Sequence, residues 1–251
     1  MITLALDTTT STGSVALVHA GELLDCFVGD QERTHGERLP GDILTLLKRN
    51  SITFSDIELY AVCSGPGSFT GLRVGLATIQ ALSFANEKPV IAIPALEAYG
   101  YAVMASWPQE SGAKFIGTWM NAHRGEVFAA LYEKPTILGS WPSLIEVVGP
   151  LVGKTNEIVD LWLDAVGDEA VVVGGDAVVS SEEILKKALG VGTQLIKEIP
   201  LLAPIVGKVG EAHSSTYGAG KPHGIRPVYV RRPDAEIARE KRLKKRRISV
   251  S

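Results

Sequence analysis

Between positions 63 and 73 the chain reads CSGPGSFTGLR, a glycine-rich loop that follows an apolar run at 60–63. The apolar run predicts a strand, and the residues after the loop have helical spacing. Glycines near the start of a helix let backbone N–H groups approach an anion, which the helix dipole favours. Small residues at Gly71, Gly75 and Thr78 also form a face that a second helix could approach closely. The segment therefore allows phosphate binding, partner docking or a purely structural helix start.

The composition predicts a globular cytoplasmic protein. Its 251 residues are 45% hydrophobic and 21% charged, which suits one large domain or two smaller ones. No apolar run approaches the roughly 20 residues that span a bilayer, so no membrane association is expected. Residues 1–7 lack a basic region and a cleavage-like site, and they read as a strand rather than a signal peptide. Cys26 and Cys63 lie in or beside apolar runs, which indicates buried, reduced thiols.

The charge is distributed unevenly along the chain. The formal net charge is −3, yet residues 231–247 carry nine Lys or Arg against three acidic residues. A basic tail on an acidic body can attract nucleic acid. The same composition is common in solvated chain ends without a specific partner, and no aromatic residue is interleaved with these charges. Both interpretations of the tail stay open.

The order of predicted elements repeats along the chain. Residues 2–28 read as three short strands, followed by helix, strand, helix, strand and helix up to residue 106. A polar stretch with Pro and Gly at 107–112 predicts a domain boundary. Beyond it three strands recur, followed by alternating helices and strands and a final helix at 202–217. We therefore predict two similar α/β lobes, 1–106 and 107–232, and a basic tail at 233–251.

Several segments together resemble one protein family. They are LALDTT at 4–9, HGERL at 35–39, SGPGSFTGLR at 64–73, RGEVF at 124–128 and PVYVR at 227–231. In this order and spacing the chain resembles the TsaB (YeaZ) family, bacterial subunits of the machinery that makes threonylcarbamoyladenosine in tRNA. The resemblance is dense over residues 1–105 and thinner up to about residue 232. It implies an α/β, actin- and hexokinase-like (ASKHA) fold, a duplication of two ribonuclease-H-like βββαβα lobes.

Two departures from the family pattern bear on catalysis. The catalytic paralogue, TsaD, carries His-Leu-Glu-Gly-His on the helix after its fifth strand, and such an i, i+4 histidine pair can hold a transition metal. The matching positions here are Ala95 and Tyr99, which argues against a catalytic metal site. Family members usually have Asp-Ala-Arg where this chain has Asn121-Ala122-His123, so the resemblance assigns no role to that aspartate. No catalytic residue and no metal ligand is therefore predicted.

The resemblance implies two sets of functional positions. Helices at 35–49 and 69–85 would pack against the matching helices of a TsaD-like paralogue. This interface would use His35, Leu39, Ile43, Leu46, Gly71, Leu72, Gly75 and Thr78. A nucleotide or phosphate site in this chain would use Asp7, Thr8, Gly65, Gly67 and Arg73. A local turn cap is the favoured alternative for Asp7, and a solvated surface charge is the alternative for Arg73.

Two functions from different classes are compatible with these features. The first is a non-catalytic scaffold subunit that heterodimerises with the TsaD-like paralogue. The pair would transfer threonylcarbamoyl to the adenosine next to the anticodon, in tRNAs reading codons that start with adenine. The second is an autonomous metal-dependent peptidase or an ATP-using, kinase-like enzyme of the same fold.

The scaffold hypothesis carries further expectations about partners. A TsaE-like ATPase would join the heterodimer, with ATP or ADP at the complex interface and no cofactor of the subunit's own. Alone, the chain would form a homodimer through the same helical face. tRNA would be contacted indirectly or through the basic tail at 233–251.

Overall fold

The computed structural model describes residues 1–108, 111–135, 141–190, 192–198 and 200–231. The predicted basic tail at 233–251 lies outside these residues, as do Gln109 and Glu110 of the predicted boundary. The first half contains five strands, β1 (Ile2–Asp7), β2 (Ser14–His19), β3 (Glu22–Val28), β4 (Leu59–Cys63) and β5 (Val90–Ile93). It also contains the helices α1 (His35–Arg49), α2 (Phe69–Ala85) and α3 (Ala95–Ala105).

The second half follows the same order of elements. Its strands are β6 (Phe115–Asn121), β7 (Val127–Glu133), β8 (Ile145–Gly153), β9 (Val171–Gly174) and β10 (Gln194–Ile196). Its helices are α4 (Thr155–Val166), α5 (Val178–Ala188) and α6 (Leu202–Tyr217). Within the described residues, no helix is both long and apolar enough to cross a membrane.

Strand β8 runs through Gly149 and Pro150 without ending there. Its pairing with β7 shifts register at this point. Since β8 is an edge strand, the missing N–H of a proline costs no interior ladder bond there. The sheet edge therefore accommodates Gly149-Pro150 within a strand.

The two halves form five-stranded sheets with the same connectivity. The strand order is β3-β2-β1-β4-β5 in the first sheet and β8-β7-β6-β9-β10 in the second. In each sheet the first three strands pair antiparallel, and the last two are added in parallel. The repeated topology confirms the predicted fold class, an actin- and hexokinase-like duplication of ribonuclease-H-like lobes.

The alternation of side chains along β1 gives the first sheet two different buried faces. Leu4 and Leu6 belong to the apolar core that α1 and α2 share with the sheet. Ala5 belongs to a second core, which contains residues of α3 and α6 and of the second sheet. The far face of the second sheet is covered by α4 and α5. Helices α3 and α6 therefore lie between the two sheets.

Helix α6 comes from the second half of the chain but packs on the first sheet. It contacts β1, β2 and β4. Two glycines allow the close approach: a Cβ on Gly207 would stand 2.6 Å from Val18 Cγ2, and one on Gly210 would stand 3.1 Å from the Ala61 Cβ. The helix that ends the predicted second lobe thus provides the cover of the first sheet.

Candidate functional site

The turn after β1 is built around Asp7. Its Oδ1 accepts hydrogen bonds from the Thr9 N–H at 2.9 Å and from the Thr9 hydroxyl at 2.6 Å. Only 3% of the Asp7 surface is exposed, and burial raises the pKa of its carboxyl, although the bonds from Thr9 oppose this. The carboxylate closes its own turn, as the alternative interpretation of the sequence expects.

The glycine loop packs directly on this turn. The Ser68 N–H donates to the Thr9 carbonyl at 2.8 Å. A Cβ on Gly67 would stand 2.6 Å from the Thr9 Cβ, so the contact requires glycine. The Ser68 hydroxyl then caps α2 by accepting from the Gly71 N–H at 3.2 Å. Two of the N–H groups that the sequence makes available to an anion are therefore used within the chain.

Gly65 also has a structural role in this loop. Its φ of +102° lies in the region that favours glycine. A Cβ there would stand 2.8 Å from the Val228 carbonyl, and the Gly65 carbonyl accepts the Ala95 N–H at the start of α3. Gly65 thus lets the loop contact the C-terminal segment and the next helix at once.

The small-residue face of α2 receives Thr8 rather than a second helix. A Cβ on Gly75 would overlap the Thr8 hydroxyl, and one on Gly71 would overlap the Thr8 carbonyl. Thr8 is 1% exposed, and its hydroxyl has no hydrogen-bond partner among the described residues. The interface role predicted for Gly71 and Gly75 therefore needs correction, because both are filled from inside the lobe.

The apolar residues predicted for the partner interface are also internal. Exposure is 1% for Leu39, 2% for Ile43, 0% for Leu46 and 1% for Leu72. The first three pack into the core beneath α1 and α2. Helical spacing correctly identifies an apolar stripe, but the stripe faces the chain's own sheet. The burial of these four residues corrects their predicted contact with a partner. Thr78 is half-buried.

Other residues form the outer surface of α1 and α2. The two helices contact each other side by side. Leu44 is 55% exposed and Phe84 is 77% exposed. On the same side of α2 as Phe84, the small residues Ala77 and Ala81 are also exposed. We call these four residues the outer helical face.

His35 and Arg38 connect α1 to the turn between β1 and β2. The His35 Nε2 lies 2.8 Å from the Thr10 carbonyl, which can only accept, so Nε2 carries the proton. Nδ1 then accepts from the Arg38 guanidinium at 2.8 Å, and the same guanidinium donates to the Thr12 carbonyl. Burial lowers the pKa of His35. The sequence assigns His35 to a partner, whereas the structure uses it to hold this turn.

Arg38 is a residue that the sequence interpretation missed. It is 2% exposed and pairs with Asp42 at 2.6 Å, one helical turn away. The guanidinium also fills the space beside Gly29, where a Cβ would overlap it. The available signal was an Arg and an Asp at i, i+4 beside the buried Leu39 and Ile43.

The second lobe closes its equivalent turn with an amide instead of a carboxylate. The Asn121 Oδ1 accepts from the His123 N–H at 2.8 Å, as Asp7 does from Thr9. The Asn121 N–H donates to Asp176 at 2.8 Å, which joins this turn to the Gly174-Gly175-Asp176 loop after β9. His123 and Arg124 both have positive φ, at 60° and 59°. The departure from the family pattern thus preserves the acceptor on which the turn depends.

A cleft of about 470 Å³ lies between the two lobes. The first lobe contributes the loop 66–69 and Leu72, and the second contributes the turn 121–124 and Phe128. Residues 228–231 complete the lining. Of the five predicted nucleotide residues only Gly67 lines this cleft. Arg73 contacts the lining residues Phe69 and Tyr229, whereas Asp7, Thr8 and Gly65 are not part of the lining.

The positions that match the histidine pair of TsaD lie in the core between the sheets. Ala95 is fully buried and Tyr99 is 3% exposed. Burial, together with Asp176 and Asp7, raises the pKa of Tyr99 well above its usual value. Among the described residues, no three His, Cys, Asp or Glu side chains are grouped closely enough to hold a metal ion.

Comparisons with known proteins agree on one group of relatives. The protein-family model described as TsaD, tRNA N6-adenosine threonylcarbamoyltransferase, matches residues 29–194. The chain is 36% identical over 119 residues to the tRNA threonylcarbamoyladenosine biosynthesis protein TsaB of Haemophilus influenzae, which covers 47% of this chain and 50% of that protein. It is 26% identical to the protein of the same name from Bacillus subtilis strain 168, over 94% of this chain and 96% of that one.

A solved structure extends the agreement to the fold. YeaZ from Pseudomonas aeruginosa superposes with a TM-score of 0.70, covering 91% of this chain and 99% of that chain at 24% identity. The match to the Haemophilus relative spans half of that relative's length, whereas the Bacillus match is nearly complete. The resemblance to TsaB (YeaZ) proteins that the sequence motifs indicate is confirmed by these relatives.

Proposed function

Because this chain belongs to the TsaD family of tRNA N6-adenosine threonylcarbamoyltransferases, we propose that it acts in the biosynthesis of threonylcarbamoyladenosine in tRNA. Its similarity to proteins named TsaB supports this role. More specifically, it is a non-catalytic scaffold subunit that heterodimerises with a TsaD-like paralogue. The paralogue performs threonylcarbamoyl transfer to the adenosine next to the anticodon, in tRNAs reading codons that start with adenine.

The observation that carries the scaffold role is the outer helical face. Leu44 and Phe84 are large apolar side chains exposed on adjacent helices, which makes the outer surface of these helices the candidate for partner contact. Ala77 and Ala81 are exposed on the same side of α2 as Phe84. Alanines one turn apart leave room for a partner helix to pack closely. This face replaces the buried stripe that the sequence predicts for the interface.

The residues of the Asp7 turn and of helix α3 support a non-catalytic role. Ala95 has no ligand atom, and Tyr99 is buried in the core. Asp7 uses its carboxylate within its own turn. These contacts do not favour the alternative of an autonomous peptidase or kinase-like enzyme.

Further partners belong to the same proposal. A TsaE-like ATPase joins the heterodimer, with ATP or ADP at the complex interface. Without its paralogue the chain forms a homodimer through the outer helical face. The basic tail at 233–251 contacts tRNA through its Lys and Arg side chains.

Size-exclusion chromatography with light scattering tests the scaffold role. The chain is mixed with the TsaD-like paralogue of the same organism, as wild type and as Leu44→Glu. We expect a heterodimer with the wild type and its loss with Leu44→Glu, because the charge enters a desolvated contact. Leu161→Glu is the matched control, since Leu161 is 48% exposed on α4 of the other lobe. A heterodimer that forms equally with Leu44→Glu, or no heterodimer with the folded wild type, contradicts the proposal.

A further inference from the structure

We propose that the outer face of helix α4 is the docking surface for this chain's own basic tail at 233–251. The face consists of the exposed side chains of Glu157, Asp160, Leu161 and Asp164, and we call it the α4 face. The opposite side of the helix packs into the core of the second lobe. The α4 face therefore lies on the other lobe from the outer helical face and is a separate surface.

The α4 face carries charge of one sign. Residues 155–169 include five acidic side chains and no Lys or Arg. Glu157, Asp160 and Asp164 follow one another at spacings of three and four residues, so they line one side of the helix. None of the three forms a salt bridge with another described residue. Their fields therefore add up over one surface and attract a cationic partner.

The carboxylates in the second half of α4 do not stabilise the helix itself. Asp160 and Asp164 stand four residues apart, a spacing at which like charges on a helix repel. Asp164 also lies in the last turn, where the helix dipole disfavours an anion. Helix α5, by contrast, places the Lys186 Nζ 2.8 Å from Glu182 Oε1, one turn away. Helix α4 thus keeps negative charge that a cationic partner from outside the helix would neutralise.

The tail leaves the described part of the chain beside the start of α4. Arg231, the last described residue, pairs with Glu126 at the beginning of β7. The next residue, Val127, is the register partner of Gly153, which directly precedes the N-cap residue Lys154 of α4. Paired strands lie about 5 Å apart and consecutive Cα atoms about 4 Å apart, so the tail begins roughly 15 Å from the first turn of α4.

The tail has the length and the composition to cover this face. It carries seven Lys or Arg against three acidic residues, and six of the seven cations lie at 241–247. Residues 232–240 precede this basic run and span roughly 30 Å when extended, whereas a helix of 12 residues is about 18 Å long. Leu243 interrupts the basic run as Leu161, 48% exposed, interrupts the carboxylates. Charge and apolar contact are therefore both matched.

Covalent attachment favours the tail over a free partner. A tether of this length keeps the tail at a millimolar effective concentration near α4, so that weak contacts are populated. The contacts are between exposed charges, and salt therefore weakens them. The consequence for RNA rests on the proposed function: cations that lie on α4 are not free to contact tRNA, so RNA has to displace them. The α4 face then lowers the apparent affinity for RNA.

Zero-length crosslinking of the full chain tests the docking directly. A carbodiimide joins lysine amines to carboxylates that they contact, and mass spectrometry of the digest locates the links. We expect links from the lysines of the basic run to Asp160 or Asp164 at low salt. They should disappear near 1 M salt, where the screening length is about 3 Å. A mixture of unlabelled and ¹⁵N-labelled chains shows whether each link lies within one chain.

Two double variants isolate the α4 face. Asp160→Asn with Asp164→Asn removes the carboxylates and should abolish the links. Glu32→Gln with Glu87→Gln is the matched control, because it removes two exposed carboxylates from the first lobe and should leave the links in place. No links to α4 in the wild type, or links only between labelled and unlabelled chains, would overturn the proposal.

RNA binding gives the second readout. A fluorescein-labelled RNA stem-loop is titrated by anisotropy with the full chain and both double variants. We expect the Asp160→Asn, Asp164→Asn variant to bind about two- to thirtyfold more tightly than the control variant, as release of one or two exposed ion pairs allows. The two variants have the same net charge, so the difference reports the position of the carboxylates. Links to α4 with equal RNA affinity in both variants would uphold the docking and contradict the tail's proposed contact with tRNA instead.

Discussion

Gly75 shows what a single residue contributes to the turn below α2. The sequence correctly marks it as a position of close approach, because small residues recur along one side of the helix. Spacing alone does not identify the neighbour, which is Thr8 from a turn 67 positions away along the chain. The same limit applies to Gly67, whose neighbour is Thr9. Glycines can therefore be recognised from sequence as packing positions, but the residues that pack against them can be identified only from the fold.

A substitution at Gly75 is expected to act on stability. The new side chain in Gly75→Leu would overlap Thr8, so we expect the free energy of unfolding to fall by about 1–3 kcal/mol. Urea denaturation measures this change. Gly41→Leu is the matched control, because Gly41 lies on the exposed side of α1 with no neighbour within 4 Å of an added Cβ. It should leave stability unchanged or raise it by up to about 1 kcal/mol through helix propensity. Equal effects of the two substitutions would contradict this account.

At the scale of the element, α1 and α2 are correctly bounded by the sequence but incorrectly oriented. The pattern of Leu39, Ile43 and Leu46 predicts an amphipathic helix, and the structure contains one. An apolar stripe does not reveal whether it meets a sheet of the same chain or another protein. Here the sheet takes the stripe, and the outer helical face has a weaker signal of two large residues and two alanines. Which side of α1 and α2 faces the sheet and which faces a partner therefore has to be read from the structure.

Helix α1 is joined to the β1–β2 turn by His35, whose charge state affects the stability of the fold. His35 is neutral in the folded chain, because Nδ1 must accept from Arg38 while Nε2 donates to Thr10. Its pKa is lowered by burial and by the nearby Arg38 cation, so the unfolded chain binds a proton more readily. We expect the contribution of His35 to the free energy of unfolding to stay constant above about pH 6.5. Below that pH the protein should become less stable as the pH falls.

The variant His35→Gln isolates this contribution. Glutamine offers an NH₂ donor group and a carbonyl acceptor without titrating, so the decrease in the urea midpoint between pH 7.5 and pH 5.5 should be smaller than in the wild type. His19→Gln is the control, since His19 is exposed at the end of β2. It should retain the wild-type decrease. An identical pH dependence in His35→Gln and wild type would show that His35 does not cause the loss of stability at low pH.

At the scale of the whole molecule, the duplication can be anticipated from sequence, because the order of strands and helices repeats. The cleft cannot, since its lining comes from the loop 66–69, the turn 121–124 and residues 228–231. These segments carry little periodicity and lie far apart in the chain. The sequence resemblance assigns Arg73 to a nucleotide or phosphate site, but its contact with Tyr229 depends on the path of the C-terminal segment.

The position of α6 predicts how fragments behave. A fragment of residues 1–106 lacks the helix that covers Ala5, Ala16 and Ala61 on the first sheet. We expect it to show no cooperative urea transition, because this sheet face stays exposed to water. Residues 1–231 should unfold cooperatively, and mixing 1–106 with 107–231 should restore part of that transition. A cooperative transition in 1–106 alone would show that the first lobe does not need α6.

The late position of α6 also sets an order of events on the ribosome. The strands of the first sheet emerge early, but their cover is not synthesised until residues 202–217 have been added. Throughout that interval the alanine-rich face of the first sheet is available to chaperones or to other nascent chains. The first lobe is therefore completed only when almost the whole chain has been translated, although it is encoded first.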